Sequence, residues 1–389
     1  MDADAAVAPR RDALVQLLRD LVAIDSVNPY FPGGRGEAEI ASYVADYCAG
    51  LGLPVRRQEI LPGRPNVTAE LIVPGATRTL LFDSHLDTVS LDQMGPAGLQ
   101  PTIRDGVLTG RGACDTKASL AAMLTALAAL ARNPAGLGCN VLFLGSVDEE
   151  YLMRGAEAFA RSGVHVDAAI VGEPTRLEIV VAHKGFVRWR LHTLGRAAHS
   201  SDPGLGDNAI YQMADLIRLL RAELEPRYRQ RVHPLVGPAT WSVGKITGGS
   251  SVNIVPDSCT IEIDRRLLPS ERSTDALAEF DAVIAEICQR QPGLRVRREE
   301  PFADVAGLET PASAPIVRAL EVACGTVRGE AKITGVPYGT NASKFAAAGI
   351  TCVVFGPGDV ARAHTADEFV PLDEVVAAAA IYEAAARAF

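Results

Sequence analysis

The chain has 389 residues, of which 48% are hydrophobic and 22% are charged, and it carries a formal net charge of −9. This composition is typical of a globular protein with more than one domain, and it excludes a disordered chain. The acidic balance argues against a nucleic-acid surface, because such a surface needs lysine and arginine to meet phosphates. No apolar run reaches the roughly 18 to 20 residues of a membrane span. We therefore expect neither a nucleic acid nor a membrane as a partner.

The N-terminal segment and the cysteines indicate the cellular compartment. Residues 1–26 carry charges through an apolar periodicity, which predicts an amphipathic helix rather than a signal peptide. The seven cysteines are an odd number, are widely spaced and include no CxxC pair. Such usage favours a reducing compartment in which thiols serve as small core residues. We therefore expect a cytoplasmic protein.

Short apolar runs alternate with helical segments in the first half of the chain. Residues 79–87 and 140–150 are rich in Leu, Val and Phe, and the alanine-rich segment 117–133 between them predicts a helix. Buried strands joined by helices predict a largely parallel sheet, in which ligands bind beyond the carboxyl ends of the strands. Polar side chains lie at the ends of these runs and of a similar apolar run at residues 168–174: His85, Asp87, Glu149, Glu150 and Glu173.

Residues 185–302 follow a different pattern. Their strands alternate between apolar and polar residues, and two helical segments intervene, which gives the order β-α-β-β-α-β. This order is typical of a ferredoxin-like unit. After residue 302 the earlier pattern of helices and buried strands returns. The sequence therefore predicts a discontinuous domain of residues 1–184 and 303–389, with an inserted domain of residues 185–302.

Acids and histidines beside the predicted strands suggest a metal site. Taken singly each is weak, because Asp115 is also interpretable as a helix N-cap and the pair Glu149–Glu150 as a solvated surface feature. Together, His85, Asp115, Glu150, Glu173 and His364 form a set of imidazoles and carboxylates of the type that binds zinc and related ions. Converging carboxylates repel one another unless cations lie between them. We therefore expect two divalent cations at this site.

Sequence motifs along the chain resemble those of one enzyme family. In chain order they are SHLDTV (84–89), GRGACDTKASL (110–120), DEE (148–150), GEPT (172–175), AAHSSDP (197–203), SVNIVPD (251–257), DRRLLP (264–269) and AHTADEF (363–369). This combination resembles the dinuclear zinc metallopeptidases and amidohydrolases that include acetylornithine deacetylase, succinyl-diaminopimelate desuccinylase, aminoacylase and glutamate carboxypeptidase. The resemblance covers nearly the whole chain. It implies an α/β fold: a zinc-peptidase-like catalytic domain with a mixed sheet, and an inserted ferredoxin-like α+β domain for dimerisation or as a lid.

The resemblance also implies a metal centre. The ligands that it implies are His85 and Glu173 for one ion, Glu150 and His364 for the other, and Asp115 as a bridge between both. Two divalent ions per subunit are implied, with zinc as the first choice and cobalt or manganese as alternatives. Family members often have a cis peptide bond after the bridging aspartate, which here is the bond between Asp115 and Thr116.

Two further residues are implied as parts of the catalytic machinery. Glu149 would be the general base, taking a proton from a metal-bridging water and returning it to the leaving amine. Asp87 would accept the second ring N–H of His85 and so fix its tautomer. Because adjacent residues of a strand face opposite sides, Glu149 and Glu150 both reach the site only if the chain turns. The segment Met153–Gly155 offers such a turn.

Substrate contacts are implied in the insert and in a late loop. His199 would stabilise the tetrahedral oxyanion, either in its own subunit or across a homodimer. An arginine fork matches a carboxylate, and a substrate carboxylate is the group that these donors would hold. The implied donors are Asn253, Arg266 and the backbone around Gly339 and Thr340.

We predict a cytoplasmic, homodimeric metallo-amidohydrolase that cleaves the amide bond of an N-acyl-L-amino acid, with acetylornithine deacetylase as the first candidate branch. Alternatives within the family are a succinyl-diaminopimelate desuccinylase and a dipeptidase or carboxypeptidase. Asn341 stands where the family commonly has an aspartate, which weakens any choice of substrate. A non-catalytic dimeric binding protein is the alternative from another class. It would be expected to have lost a metal ligand or Glu149, and all of these residues are intact.

Overall fold

The computed structural model describes residues 3–389, with side chains from Arg10 onward. These residues form two compact units. The larger unit combines the described residues up to Val181 with Thr310–Thr334 and Thr340–Phe389. The insert unit consists of Ala182–Glu309 and Gly335–Gly339. Its first segment begins before residue 185 and ends after residue 302, which are the bounds expected from the sequence. The short segment Gly335–Gly339 was not expected in this unit.

The helices and strands have the following bounds in chain order. The helices are α1 Ala3–Ala23, α2 Ala38–Gly50, α3 Lys117–Arg132, α4 Arg154–Ala160, α5 Ala209–Gln230, α6 Ser273–Arg290, α7 Pro315–Arg328, α8 Ala342–Ala347 and α9 Leu372–Ala388. The strands are β1 Val55–Leu61, β2 Arg64–Leu71, β3 Thr79–His85, β4 Thr102–Arg104, β5 Val107–Thr109, β6 Asn140–Ser146, β7 Ala168–Val171, β8 Ile179–His183, β9 Gly185–Leu194, β10 Val232–His233, β11 Gly237–Pro238, β12 Thr240–Gly248, β13 Ser258–Leu267, β14 Val296–Arg298, β15 Ala303–Val305, β16 Leu308–Glu309, β17 Ile333–Val336, β18 Thr351–Val354 and β19 Phe369–Pro371.

The larger unit is built on a mixed sheet whose strands follow the order β1-β2-β6-β3-β7-β18-β8. Its centre is parallel, because β3 pairs in parallel with both β6 and β7, and β18 pairs in parallel with β7. The edges are antiparallel, at β1 and β2 on one side and at β8 on the other. The expected α/β class with a mixed sheet is confirmed.

The central strands and the helix between them are almost wholly buried. In β3 and β6 every residue after the first is buried. Helix α3 buries nearly its whole length, from Lys117 to Ala128, and it packs against α1 and α9. Small alanine side chains allow such close packing while keeping helix propensity high. A large core therefore supports the carboxyl ends of β3, β6 and β7.

The insert unit contains an antiparallel sheet in the order β12-β13-β9-β14, with helices α5 and α6 between its strands in sequence. Counted along the chain, this is the ferredoxin-like order that the sequence predicts. Burial alternates along β9 and β13, so one face packs on a core and the other carries charges. Strand β15 pairs with β9, which explains why this unit extends past residue 302.

The N-terminal helix is present from Ala3 to Ala23, while the first two residues of the segment lie outside the described part. Among the described residues, no helix combines the length and the apolar character needed to cross a membrane. All seven cysteines are free thiols, and six of them are buried.

Candidate metal and active site

The candidate site lies at the carboxyl ends of three adjacent strands of the larger unit. Strand β3 ends on His85, β6 ends four residues before Glu150, and β7 ends two residues before Glu173. Parallel strands present these ends at one edge of the sheet, where ligands bind in open α/β folds. Two residues from loops join them, Asp115 before α3 and His364 before β19. The structure thus brings all five expected ligands together.

Asp115 divides these residues into two groups. Its Oδ1 lies 3.0 Å from Nε2 of His85, in the group completed by Glu173. Its Oδ2 lies 3.4 Å from Nε2 of His364, and Oε2 of Glu150 lies 3.2 Å from the same nitrogen. Within each group, the candidate ligand atoms all lie within 4.8 Å of one another. One carboxylate therefore serves two clusters, each of which holds one further carboxylate and one imidazole.

The donor chemistry of both clusters fits divalent metal ions. Burial, and then the charges of Asp115 and Glu149, raise the pKa of Glu173 well above its ordinary value. Burial also raises the pKa of Glu150, and the charge of Asp115 adds to that effect. Acids held together against desolvation and mutual repulsion are stabilised by cations between them. Imidazole nitrogens and carboxylate oxygens are ligands of zinc and related ions.

The loop that carries Asp115 is a run of turns between β5 and α3. Thr116, not Asp115, is the N-cap residue of α3, so the capping interpretation of Asp115 is wrong. The Asp115–Thr116 peptide bond is cis, as the resemblance implies. Gly112 has a φ of +77°, and a Cβ there would lie 2.7 Å from the Thr88 side chain. Only glycine fits this turn without strain.

The His85 ring lies beside both the backbone and the carboxylate of Asp87. Its Nδ1 donates to the backbone oxygen of Asp87 at 2.9 Å, whereas the Asp87 carboxylate lies 3.6 Å away. This bond places a proton on Nδ1, so that a cation between Nε2 and Asp115 would meet the lone pair of Nε2. The carboxylate of Asp87 also accepts the backbone N–H groups of Glu149 and Glu150 at 3.0 and 3.1 Å. Asp87 therefore fixes the glutamate pair in addition to lying beside the imidazole ring.

The turn that frees Glu149 and Glu150 from the strand was predicted in the wrong place. Strand β6 ends at Ser146, and the chain turns at Asp148, whose φ is +70°, before the pair is reached. Met153 then adopts a φ of +56° as the N-cap of α4. The expected turn at Met153–Gly155 is therefore the start of a helix. Burial raises the pKa of Glu149 well above its usual range, and the charge of Glu150 contributes to that rise.

A buried polar network behind the glutamate pair was not found from the sequence. Arg64 donates to Glu37 at 2.5 and 2.7 Å and to Asp148 at 3.0 Å. Asn28 donates to Asp87 at 2.7 Å and to Asp148 at 3.2 Å. These side chains come from separate parts of the chain, and no local motif connects them. They hold the left-handed turn at Asp148 in place.

The expected contacts of the insert unit lie on exposed loops. His199 pairs with Ile254 in a short bridge, and the N–H of Ser200 donates to the backbone oxygen of Asn253 at 3.0 Å. Nδ1 of His199 accepts the backbone N–H of Ser201 at 3.2 Å, which leaves Nε2 as the protonated nitrogen. His199 and Asn253 are therefore neighbours within this unit.

The remaining expected contacts differ in accessibility. Nε of Arg266 is bound to Asp264 at 2.7 Å. A Cβ on Gly339 would lie 3.3 Å from the Phe186 ring, over which the Arg266 guanidinium also lies. Thr340 is buried, and its hydroxyl accepts the N–H of Ala342 at the start of α8. Its side chain is thus occupied within the fold.

Asn341 is directed into the core. It is buried and donates to Oδ2 of Asp83 at 3.1 Å and to Ser146 at 3.0 Å. An amide suits this position because it can donate to a buried carboxylate, whereas an ionised aspartate cannot. The exchange relative to the common family residue is therefore explained by the core, and Asn341 gives no information on the substrate.

The sequence profile of peptidase family M20/M25/M40 matches residues 81–388. The chain belongs to this family. Membership of a peptidase family makes the chain a hydrolase of amide bonds. The M20 chain is also 29% identical to the acetylornithine deacetylase of Myxococcus xanthus over 385 residues, which cover 97% of each chain.

Solved structures of M20 proteins share the fold. An M20 metallo-carboxypeptidase from Sulfolobus solfataricus superposes with a TM-score of 0.80 at 21% identity, over 96% of this chain and 98% of that one. A dinuclear metal-binding peptidase from Bacillus subtilis superposes with a TM-score of 0.72 at 16% identity, over 98% of both chains. At these identities the likeness shows that the M20 fold is present along nearly the whole chain.

Proposed function

We propose that the chain is a dinuclear metal-dependent amidohydrolase that cleaves the amide bond of N-acyl-L-amino acids, with N-acetylornithine as the first candidate substrate. The observation that carries this proposal is the position of Asp115, whose two oxygens face two separate ligand groups. The similarity to an acetylornithine deacetylase over nearly the whole chain supports the choice of substrate class.

Two divalent ions fit the residues of the site, and we propose zinc, with cobalt and manganese as alternatives. His85 and Glu173 would hold one ion, Glu150 and His364 the other, and Asp115 both. Bound there, such ions would supply Lewis-acid chemistry, polarising the substrate carbonyl and lowering the pKa of a coordinated water. The match of an acidic, imidazole-containing donor set to these ions supports the assignment.

Glu149 is proposed as the general base. Its carboxylate would take a proton from the attacking water as the oxygen bonds to the carbonyl carbon. It would then give a proton to the nitrogen as the C–N bond breaks, which leaves a carboxylate and a free amine. Burial raises its pKa above the ordinary value of a glutamate, which supports this role because a more basic carboxylate accepts a proton from water more readily. The hydrogen bond from its backbone to Asp87 fixes its position.

His199 and the neighbouring donors are proposed as substrate contacts. The Nε2–H of His199 would donate to the developing oxyanion, in a homodimer formed through the insert unit. Asn253 and Arg266 would hold the substrate carboxylate together with the backbone at Gly339 and Thr340. Support for Arg266 comes from Asp264, which binds Nε and so orients the remaining guanidinium nitrogens. The free thiols of the chain support a cytoplasmic location.

A substrate panel tests the proposal directly. Zinc-loaded and cobalt-loaded protein is assayed with N-acetylornithine, N-acetylmethionine, N-succinyl-diaminopimelate and two dipeptides, each with and without a chelator. Chelator-sensitive hydrolysis of an acetylated amino acid is the expected result. If only the succinyl compound or only a dipeptide is hydrolysed, the substrate belongs to that other class within the family. Two bound ions without any turnover would refute the proposed substrates and leave the metal assignment standing.

A further inference from the structure

Glu368 is a buried acid beside the candidate site that is not among the five metal ligands. It lies four residues after His364 and is 1% exposed. Its Oε2 accepts Nη1 of Arg111 at 2.6 Å and the N–H of Gly112 at 3.0 Å. Its Oε1 accepts the N–H groups of Cys114 and Asp115 at 2.9 and 3.0 Å. Four donors of the chain therefore bind the two oxygens of this carboxylate.

Further hydrogen bonds join the same two loops. The N–H of Gly110 donates to the backbone oxygen of Glu368 at 3.1 Å. Arg111 donates through Nη2 to the backbone oxygen of Thr365 at 3.3 Å, and through Nε to that of Ser90 at 2.9 Å. The loop of residues 110–116, which carries Asp115, is thereby attached to the loop of residues 363–368, which carries His364.

The two proposed ligands on these loops lie outside the helices and strands. His364 has a φ of +60°, and its side chain is 52% exposed. Asp115 lies at the end of a run of turns rather than inside a helix or strand. Ligands on irregular loops hold a geometry only when neighbouring groups fix them. The Glu368 carboxylate binds the backbone N–H of Asp115 itself, so it acts at the point where the bridging side chain leaves the chain.

We propose that Glu368 is a positioning residue that sets the distance between Asp115 and His364 and thereby the cation affinity of the cluster Asp115, Glu150 and His364. The cluster that contains His85 depends on it less, because His85 ends a buried strand and its ring is fixed by the backbone of Asp87. This inference rests on the proposed function, since it assumes that both clusters hold cations.

The alternative is that Glu368 only stabilises the fold through its ion pair with Arg111. The insert unit offers a matched control in Glu271, whose carboxylate accepts Nη2 of the buried Arg265 at 2.9 and 3.0 Å and the N–H of Leu268 at 2.8 Å. In either glutamine variant, an amide N–H₂ group replaces one acceptor oxygen and faces the hydrogen-bond donors that this oxygen had bound. Both variants therefore lose the same kind of contact, and only Glu368 contacts the loop of a proposed ligand.

The experiment titrates Co²⁺ into metal-free wild type, E368Q, E368D and E271Q, and follows calorimetric heats together with the cobalt absorption bands. We expect wild type to bind two equivalents. In E368Q one of the two sites should weaken by about 10-fold to 100-fold while the other changes by less than about threefold. E368D keeps both acceptor oxygens and should recover part of that loss. E271Q should keep both affinities, even where its thermal midpoint falls as far as that of E368Q.

Two results would overturn the inference: unchanged affinities in E368Q, or equal weakening of both sites in proportion to the loss of thermal stability. If E368Q fails to fold, the same comparison is made with E368D, and unchanged affinities there would refute the inference equally. The substrate panel separates this test from that of the proposed function. Wild type that binds two ions but hydrolyses nothing refutes the proposed substrates, while the affinities still decide the role of Glu368.

Discussion

The two units hold their candidate site residues in different ways. In the larger unit, His85, Asp87 and Glu173 are at most 5% exposed, and hydrogen bonds fix the neighbouring backbone. In the insert unit, His199 and Asn253 are exposed on loops that contact mainly each other. Buried, hydrogen-bonded groups are preorganised for chemistry, whereas exposed loops are suited to meeting a ligand or partner. The difference agrees with our proposal that the larger unit binds the metal ions and transfers the proton, while the insert supplies exposed contacts to the substrate.

The sheets of the two units explain this difference. Strands β3 and β6 are buried on both faces, because helices cover a parallel sheet on each side. Side chains that follow such strands emerge from a rigid base. Strands β9 and β13 are buried on one face only, and the other face carries ion pairs such as Arg188 with Asp264. The insert thus has a solvated surface on which polar contacts contribute little to stability.

The largest expected effect tests the chemistry of the larger unit. Replacement of Glu149 by glutamine keeps the side-chain volume and removes the proton acceptor, so kcat should fall by about 10²-fold to 10⁴-fold. Both metal ions should remain, because Glu149 is not in either ligand group. The matched variant E150Q alters a ligand and should lose one ion. Steady-state kinetics and metal analysis check both variants, and an E149Q protein with full turnover would exclude Glu149 as the base.

The second prediction concerns the exposed loops of the insert. H199A should lower kcat by about 10²-fold to 10³-fold, through loss of a donor to the oxyanion. Its unfolding free energy should change by no more than about 0.5 kcal/mol, since the side chain is exposed. His165, which is 81% exposed in the larger unit, provides the control, and H165A should be unaffected in both respects.

The same variant also tests the proposed homodimer. Co-expression of one chain that carries E149Q with another that carries H199A gives a mixed dimer. If His199 acts across the subunits, one of the two sites in this dimer combines an intact Glu149 with an intact His199. If His199 acts within its own subunit, neither site does. In the first case the purified mixed dimer should regain up to half of the wild-type kcat per dimer. Inactive mixed dimers, with both single variants correctly folded, would place His199 in the site of its own chain.

The third prediction has a smaller expected effect and concerns Glu149, Glu173 and His364 in the metal-free protein. Burial raises the pKa values of Glu149 and Glu173, and hydrogen bonds to Asp115 and Glu150 raise that of His364. Each group therefore holds its proton more tightly when folded. The contribution of the two glutamates to the free energy of unfolding is fully present below pH 4.5, and that of His364 is fully present below pH 6.5. Both contributions decline as the pH rises. The metal-free protein should consequently melt at a lower temperature at pH 8 than at pH 6.

Metal should reverse this trend, because cations bind the deprotonated ligands. Zinc at about 100 times its dissociation constant should add about 2.7 kcal/mol per site. At a fixed zinc concentration the thermal shift should be larger at pH 8 than at pH 6, because the affinity rises as the ligands lose their protons. Scanning calorimetry of chelated and reloaded protein at both pH values measures this. A chelated protein whose melting temperature rises between pH 6 and pH 8 would contradict the assignment of these acids to a cation site.

The sequence predicted the residues of the site better than the contacts that hold them. Strand ends and the motifs of the family resemblance pointed to His85, Glu173 and the other expected ligands, and the structure brings these side chains together. The contacts of the Asp87 carboxylate with the backbone of Glu149 and Glu150, and those of Glu368 with the loop of Asp115, were not predicted. Arg111 and Glu368 lie 257 residues apart, and one sequence gives no signal that pairs them. The left-handed turn at Asp148 was missed for a similar reason, since a distant arginine stabilises it.

The smallest expected effect tests whether the buried network of the larger unit tolerates an extra charge. Asn341 donates to Asp83, whose pKa is raised to about 6 by burial. N341D replaces this donor by a second acid, and the unfolding free energy at pH 8 should fall by about 1 to 3 kcal/mol. Below about pH 6 one carboxyl is protonated and donates to the other, so the loss should shrink as the pH falls toward 5. N341A, which removes the donor without adding a charge, separates the two effects in urea unfolding at both pH values. If N341D matches wild type at pH 8, the two side chains are less buried than the structure shows, and the contrast between a preorganised larger unit and an exposed insert is weakened.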